Sequence, residues 1–239
     1  TLLFLCLASS SCRKGFEELN QNPNVTTTVD PNALFAYAQF RYHTDYLNGV
    51  RTEIWGLNNW MQVQASINGT SSAGNEYFMS GDAINNTWSL MYADVLGNIE
   101  EAMRLTKDDP INVNKYNTYR IYRAYIYHRL TDLWDNIPYT AAHNTINAEN
   151  TPDLSPEYDP QSIVYQDLIN ELRSAVSGFD QSRPDVGAQD WIYHGDVDKW
   201  IRFANSLTLR LALRISDKVP TIALPVIQQL TTENRFIQS

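Results

Sequence analysis

The chain has 239 residues, 43% of them apolar, which is enough to bury a core and lies within the range of one domain. Twenty-seven acidic against eighteen basic side chains give a net charge of −9, which excludes a protein built to hold the phosphate backbone of DNA or RNA. Both cysteines lie within the first twelve residues, so the rest of the chain has no disulfide framework, CxxC zinc site or catalytic thiol.

The chain opens TLLFLCLASSSC, an apolar run from Leu2 to Ala8, then three serines and Cys12. That is the pattern at the end of a secretory signal peptide, and it falls short of the roughly 20 apolar residues that cross a bilayer. Small residues before a cysteine match a bacterial lipoprotein box, in which cleavage leaves Cys12 at the new N-terminus with diacylglycerol on its sulfur. Ser9 stands where that box usually carries Leu, and ordinary secretion with a free thiol at Cys12 is the alternative. The expected organisation is a partial signal peptide over 1–11, an anchor and polar tether over 12–29, and a helical domain over 30–239.

Asp30-Pro31 supplies an N-cap acid followed by proline in the first helical position, and Leu34, Ala38, Tyr42 and Tyr46 recur at helical spacing, predicting a helix over 32–47. A second helix is expected over 51–65, with Ile54, Leu57 and Met61 on one side. The stretch 66–82, dense in Gly, Ser and Asn, reads as a loop that ends with Asp82 as the cap of a helix over 83–107. Asp108-Asp109-Pro110 breaks that helix, and another runs over 113–134 with Tyr119, Tyr122, Ile126, Leu130 and Leu133 on one face. After a long loop, Asp159-Pro160 starts a helix over 159–178 closed by Gly178, and Asp196 caps a helix over 196–216. Pro220 opens a shorter one reaching about Leu230. Strand signals are nearly absent, so the expected class is all-α, in antiparallel helix pairs of tetratricopeptide-like type with long loops.

The catalytic inventory is thin. Gly69-Thr70-Ser71-Ser72-Ala73 lacks the final glycine of a nucleophile elbow, and no phosphate-binding loop, dinucleotide fingerprint or H-E-x-x-H occurs. His43, His128, His143 and His194 are far apart in sequence, and acid pairs such as Glu100-Glu101 point in different directions on a helix. No metal, cofactor or catalytic residue is expected. The positive signal is aromatic and amide: Trp55, Trp60, Gln62, Gln64, Asn68, Asn75 and Tyr77 cluster at a helix end and the loop behind it, and Trp191 and Tyr193 sit in a second loop. Aromatic faces stack on the C–H faces of sugars, and amides match hydroxyl groups as both donors and acceptors. Trp60, Gln62, Asn75, Tyr77 and Trp191 are the candidate ligand contacts, with plain packing as the alternative for each aromatic. Trp88, Trp200, Tyr119 and Tyr122 follow helical spacing and read as core.

Four runs, in this order, carry a resemblance: FEELNQNPN just after Cys12, LTDLWDNIPYTAA over 130–142, YDPQSIVYQDLINELRSA over 158–175, and DVDKWIRFANSLTLRLALRIS over 196–216. Together they closely resemble the SusD/RagB-like family, in its SusD-like lipoprotein branch from Bacteroidetes. The resemblance implies a helical surface lipoprotein of the outer membrane that is not an enzyme. It would bind an oligosaccharide or other nutrient and pass it to a SusC-like TonB-dependent transporter. By position, Cys12 would be lipidated, and the Leu133–Tyr139 run and Trp200 would be framework. Relatives are longer, so the chain is expected to be the N-terminal part of such a protein. The alternative from another class is a helical-repeat scaffold that binds only proteins or peptides.

Overall fold

Asp30 and Pro31 open the first helix as their chemistry requires. In a computed structural model that describes residues 29–44, 56–63, 77, 81–143 and 155–238, the Asp30 carboxylate accepts the Asn32 N–H at 2.9 Å, and Pro31, which has no N–H to leave orphaned, is the first helical residue. This helix, α1 (Pro31–Thr44), buries Phe35, Ala38, Gln39 and Tyr42. Phe35 thus takes the central place in the row that the pattern gave to Leu34, which is only half-buried, and Tyr46 lies outside the described residues.

Two expected elements differ. Within the described part of the predicted 51–65 helix, only Asn58–Trp60 is α-helical, and the left-handed backbone of Gln62 (φ 58°) ends it. The helix expected over 83–107 begins earlier and runs in three parts: α2 (Gly81–Ser89), a π-helical stretch (Leu90–Leu96) and α3 (Gly97–Thr106). Asp82 therefore lies inside the first turn, where it complements the helix dipole, and does not cap it. The π stretch buries Leu90, Met91, Val95 and Leu96, two adjacent pairs five residues apart. An i to i+5 backbone places those pairs on one side, which an α turn would splay.

Lys107–Asn112 turns the chain through a short 3-10 segment, Pro110–Asn112, capped by Asp109. The chain then enters α4 (Val113–Trp134), whose bounds match the predicted ones. Residues are buried on nearly all sides of α4, from Asn114 to Thr131, so it is the central helix. The remaining helices are α5 (Gln161–Ser177), α6 (Val197–Ile215) and α7 (Pro220–Glu233). Helix α1 packs on the π stretch and α3, then α3 on α4, α4 on α5, α5 on α6 and α6 on α7, while α4 also touches α6. This is the expected all-α stack of helix pairs. The described residues contain no strand, only a single bridge between Ile137 and Asp159, and no helix among them is long and apolar enough to cross a membrane.

An aromatic knot joins the first helix to the last long one. Trp200 of α6 is fully buried against Phe35 (6.1 Å between ring centroids), Tyr122 (6.4 Å, edge-on) and Phe203 (5.7 Å, edge-on), and Phe35 also meets Tyr119 at 4.8 Å. In the Leu133–Tyr139 run Ile137, Pro138 and Tyr139 are buried, Leu133 and Trp134 are half-buried, and Asp135 and Asn136 are exposed. Asp159 does not cap α5. Its carboxylate accepts the N–H groups of Tyr139 (3.1 Å) and Thr140 (2.7 Å), while Asn136 Oδ1 accepts the first helical N–H, that of Gln161, at 3.0 Å. Gly178 does close α5, but in a right-handed conformation. A Cβ there would lie 2.6 Å from Asn117 Nδ2, so close helix approach is what requires glycine.

Candidate functional site

Of the residues singled out by sequence, Gln62 and Tyr77 come together. Both have left-handed backbones, both are exposed, and Gln62 Nε2 donates to the Tyr77 hydroxyl at a long 3.4 Å. Tyr77 is 64% exposed. Trp60, two residues before Gln62, is half-buried, and its indole N–H is sequestered with no hydrogen-bond partner among the described residues. Asn75, like Trp55, Gln64 and Asn68, lies outside the described residues, as does Cys12.

Trp191 stands elsewhere, on a loop held from beneath by buried polar groups. Asp190 is fully buried, and its carboxylate accepts from Gln39 Nε2 (2.9 Å), from the N–H groups of Ile192 (3.0 Å), Tyr193 (3.3 Å) and Gly195 (3.0 Å), and from Trp200 Nε1 (2.7 Å). Gln39 Oε1 completes the clamp by accepting the Trp191 N–H at 2.8 Å. A buried carboxylate persists only when its lone pairs are taken up in this way. Gly195 is needed at the turn: its φ is +78°, and a Cβ would lie 2.5 Å from Asp185 Oδ1. The Trp191 ring itself points outward, 56% exposed, with its neighbour Phe40 of α1 edge-on at 5.7 Å and 41% exposed. Tyr37, one turn earlier on α1, is also exposed. Tyr193, the other aromatic of this loop, packs on Trp200 at 5.1 Å and lies half-buried against the core.

Trp200, Tyr119 and Tyr122 are core, as their spacing predicts, but Trp88 is half-buried and walls a cleft. The signal that finds Phe40 and Tyr37 in the sequence is their place on α1 opposite Phe35 and Ala38. The exposure of Trp88 has no such signal, because it depends on where Tyr158 and Pro138 are brought by the fold.

The charged groups near these surfaces are paired. Arg123 donates to Glu100 and lies over the rings of Tyr127 (5.0 Å) and Tyr139 (5.5 Å). Burial opposes its charge, but Glu100 and the two phenols outweigh that and leave its pKa raised. His128 touches Asp132 at 3.0 Å, and Asp132 also accepts from Tyr165 and faces Arg214. Among the described residues no group of three or more His, Cys, Asp or Glu side chains is placed to hold a metal ion. The surface offers fixed aromatic rings and amides, which suit reversible binding of a hydroxylated ligand.

The sequence profile of a SusD-like family, described as starch-binding and associating with the outer membrane, matches residues 23–239. Among solved structures, a SusD-like protein from Bacteroidetes AC2a is 29% identical, with a TM-score of 0.75 over 88% of this chain and 38% of its own. A chitin-binding protein is 23% identical, with a TM-score of 0.77 over 88% of this chain and 44% of its own. A SusD homologue from Parabacteroides distasonis is 22% identical, with a TM-score of 0.73 over 87% and 40% respectively. The last two share the fold. This chain therefore spans 38% to 44% of the length of these relatives. No curated protein matches it.

Proposed function

The chain belongs to the SusD-like family, whose profile it matches over residues 23–239, and on that footing we propose that it is part of a cell-surface lipoprotein that binds an oligosaccharide. The bound glycan is handed to a TonB-dependent transporter of the SusC kind, and binding without covalent chemistry is the whole of the task. The observation that carries this reading is the Trp191 loop. Its ring is left in water while Gln39 and Asp190 fix its backbone from below. An aromatic face held at a set position loses little entropy when a sugar ring stacks on it. The Gln62 and Tyr77 pair offers a second ring beside an amide that can donate and accept.

Retention on insoluble starch and chitin tests the reading. The protein is expected to be retained on at least one, and Trp191→Ala and Tyr77→Ala should each weaken retention by about fivefold with unchanged circular dichroism. Retention unaffected by both substitutions would remove these rings from the site. Cys12 is proposed as the lipid-bearing residue, so fatty-acid label incorporated in cells should vanish in Cys12→Ser.

A second reading has its own observation. Tyr37 and Phe40 continue from Trp191 along one face of α1, the kind of apolar helix face a protein partner covers. If Tyr37→Ala and Phe40→Ala leave glycan retention intact but abolish co-purification with the transporter, that helix face belongs to the protein partner.

A further inference from the structure

A cleft of about 380 Å3 lies between α2, the π stretch and the segment leading into α5, apart from Trp60, Gln62, Tyr77 and Trp191. Its walls are Trp88 and Tyr158, 70 residues apart in sequence, with nearly parallel rings (14°) and centroids 6.1 Å apart. The two nearly parallel rings give the cleft wall an aromatic platform.

The platform is braced on every side. Trp134 meets Trp88 edge-on at 5.3 Å and Tyr92 meets it at 4.6 Å, while the Tyr92 hydroxyl donates to the Pro138 carbonyl at 2.7 Å. Asp159, next to Tyr158, is pinned through its carboxylate to Tyr139 and Thr140 and through its backbone to Ile137. Despite this bracing the Tyr158 ring is left 60% exposed. Core packing does not need it there.

A neighbouring cavity of about 620 Å3 adjoins the cleft at Ala142 and His143, which line both. His143 is exposed where the two cavities adjoin, and partial desolvation draws its pKa below the ordinary value, with Glu100 opposing and Arg123 assisting. In its neutral form the imidazole offers one donor and one acceptor nitrogen. Beyond it, Thr140, Glu101, Arg104 and Lys107 line the cavity with donors and acceptors of both kinds. Flat aromatic faces at one end suit the apolar C–H face of a pyranose, and mixed hydrogen-bonding groups at the other suit the hydroxyl rims of sugar rings further along the chain. The two cavities have the size of small-molecule sites.

We propose that this groove is a second sugar-binding subsite, in which pyranose rings of a neutral oligosaccharide stack on Trp88 and Tyr158 and extend past His143 toward Thr140, Glu101 and Arg104. The proposal rests on the glycan-binding reading but not on the loop residues that serve it. Protein labelled with 5-fluorotryptophan, with the Trp60, Trp88 and Trp191 signals assigned by single Trp→Phe substitutions, tests both by fluorine NMR. The probes are maltohexaose and chitohexaose. The Trp88 signal is expected to shift saturably with one of them, and Tyr158→Ala should weaken that curve about fivefold while leaving the Trp191 curve in place. Trp60 or Trp191 shifting while Trp88 stays still would overturn the second subsite and leave the loop reading standing. A Trp88 shift without movement at Trp60 and Trp191 would do the reverse. A Trp88 curve indifferent to Tyr158→Ala, or silence from all three signals with both probes, also sinks the proposal.

Discussion

Replacing Asp190 with alanine removes the acceptor on which the Trp191 loop hangs. Five donors lose their partner, and three of them, Gln39 Nε2, the Gly195 N–H and Trp200 Nε1, are buried in bonds that water does not reach. Each buried donor left unpaired costs about 1 to 3 kcal/mol. Water entering the space of the lost carboxylate relieves part of this, which puts the expected loss at about 4 kcal/mol, a large share of the roughly 5 to 15 kcal/mol that holds a domain together. With a urea slope of about 2 kcal/mol per molar, the unfolding midpoint should fall by about 2 M. Asp190→Asn keeps the shape but turns an amide N–H2 toward donors, so it should fall between alanine and the native residue. The assay is urea unfolding followed by the fluorescence of the six tryptophans, the buried Trp200 among them. A midpoint lowered by less than about 0.5 M in Asp190→Ala would show that the carboxylate is not the clamp described. The same variant frees Gln39 from its position under the Trp191 N–H, so glycan retention should suffer even where the helices remain folded.

Two further outcomes follow from the charged pairs. Glu100→Gln leaves the Arg123 guanidinium partly buried without its counter-charge and should cost about 3 kcal/mol by urea unfolding, the low end for a pair that keeps some exposure. An unchanged midpoint would mean that the two phenol rings alone hold the cation. The Asp132 carboxyl should make stability fall in acid. Burial would raise its pKa, but hydrogen bonds from His128 and Tyr165 and the charge of Arg214 prevail and hold it below the ordinary value. A carboxylate depressed in the folded state contributes stability that is fully present above its unfolded pKa near 4, and loses it as pH falls through the lower folded value. Asp132→Asn should therefore flatten the acid limb of a plot of melting temperature against pH, and a limb of unchanged steepness would refute the assignment.

How much of this was legible in the sequence depended on whether a signal was local. Asp30-Pro31 and Asp196 act within one helical turn, and the helices they begin start where those signals place them, while Asp109-Pro110 ends a helix as expected and also caps a short 3-10 turn. Asp159 looked like the same signal and is not. Its acceptors are engaged by Tyr139 and Thr140, about twenty residues away, and the cap comes instead from Asn136. The π stretch was invisible because its spacing of five is read as an imperfect α stripe. Among site residues, Trp191 could be picked out as a loop tryptophan, but the clamp beneath it could not. Gln39 sits 151 residues from Asp190, on a helix face that periodicity assigns to the core. Trp88 packs against the core as its spacing predicts but stays half-buried, since helical spacing says which side of a helix a ring leaves but not how fully a neighbour covers it there.

Glycan binding by fixed, exposed aromatic rings on this helical frame can be seen in a crystal structure of the protein grown with saturating maltohexaose or chitohexaose. A pyranose ring should stack within about 4 Å of the Trp191 or Tyr77 ring, with the Gln39 and Asp190 clamp unmoved beneath Trp191. Electron density for sugar only at sites away from both rings, or none with either oligosaccharide, would contradict such binding.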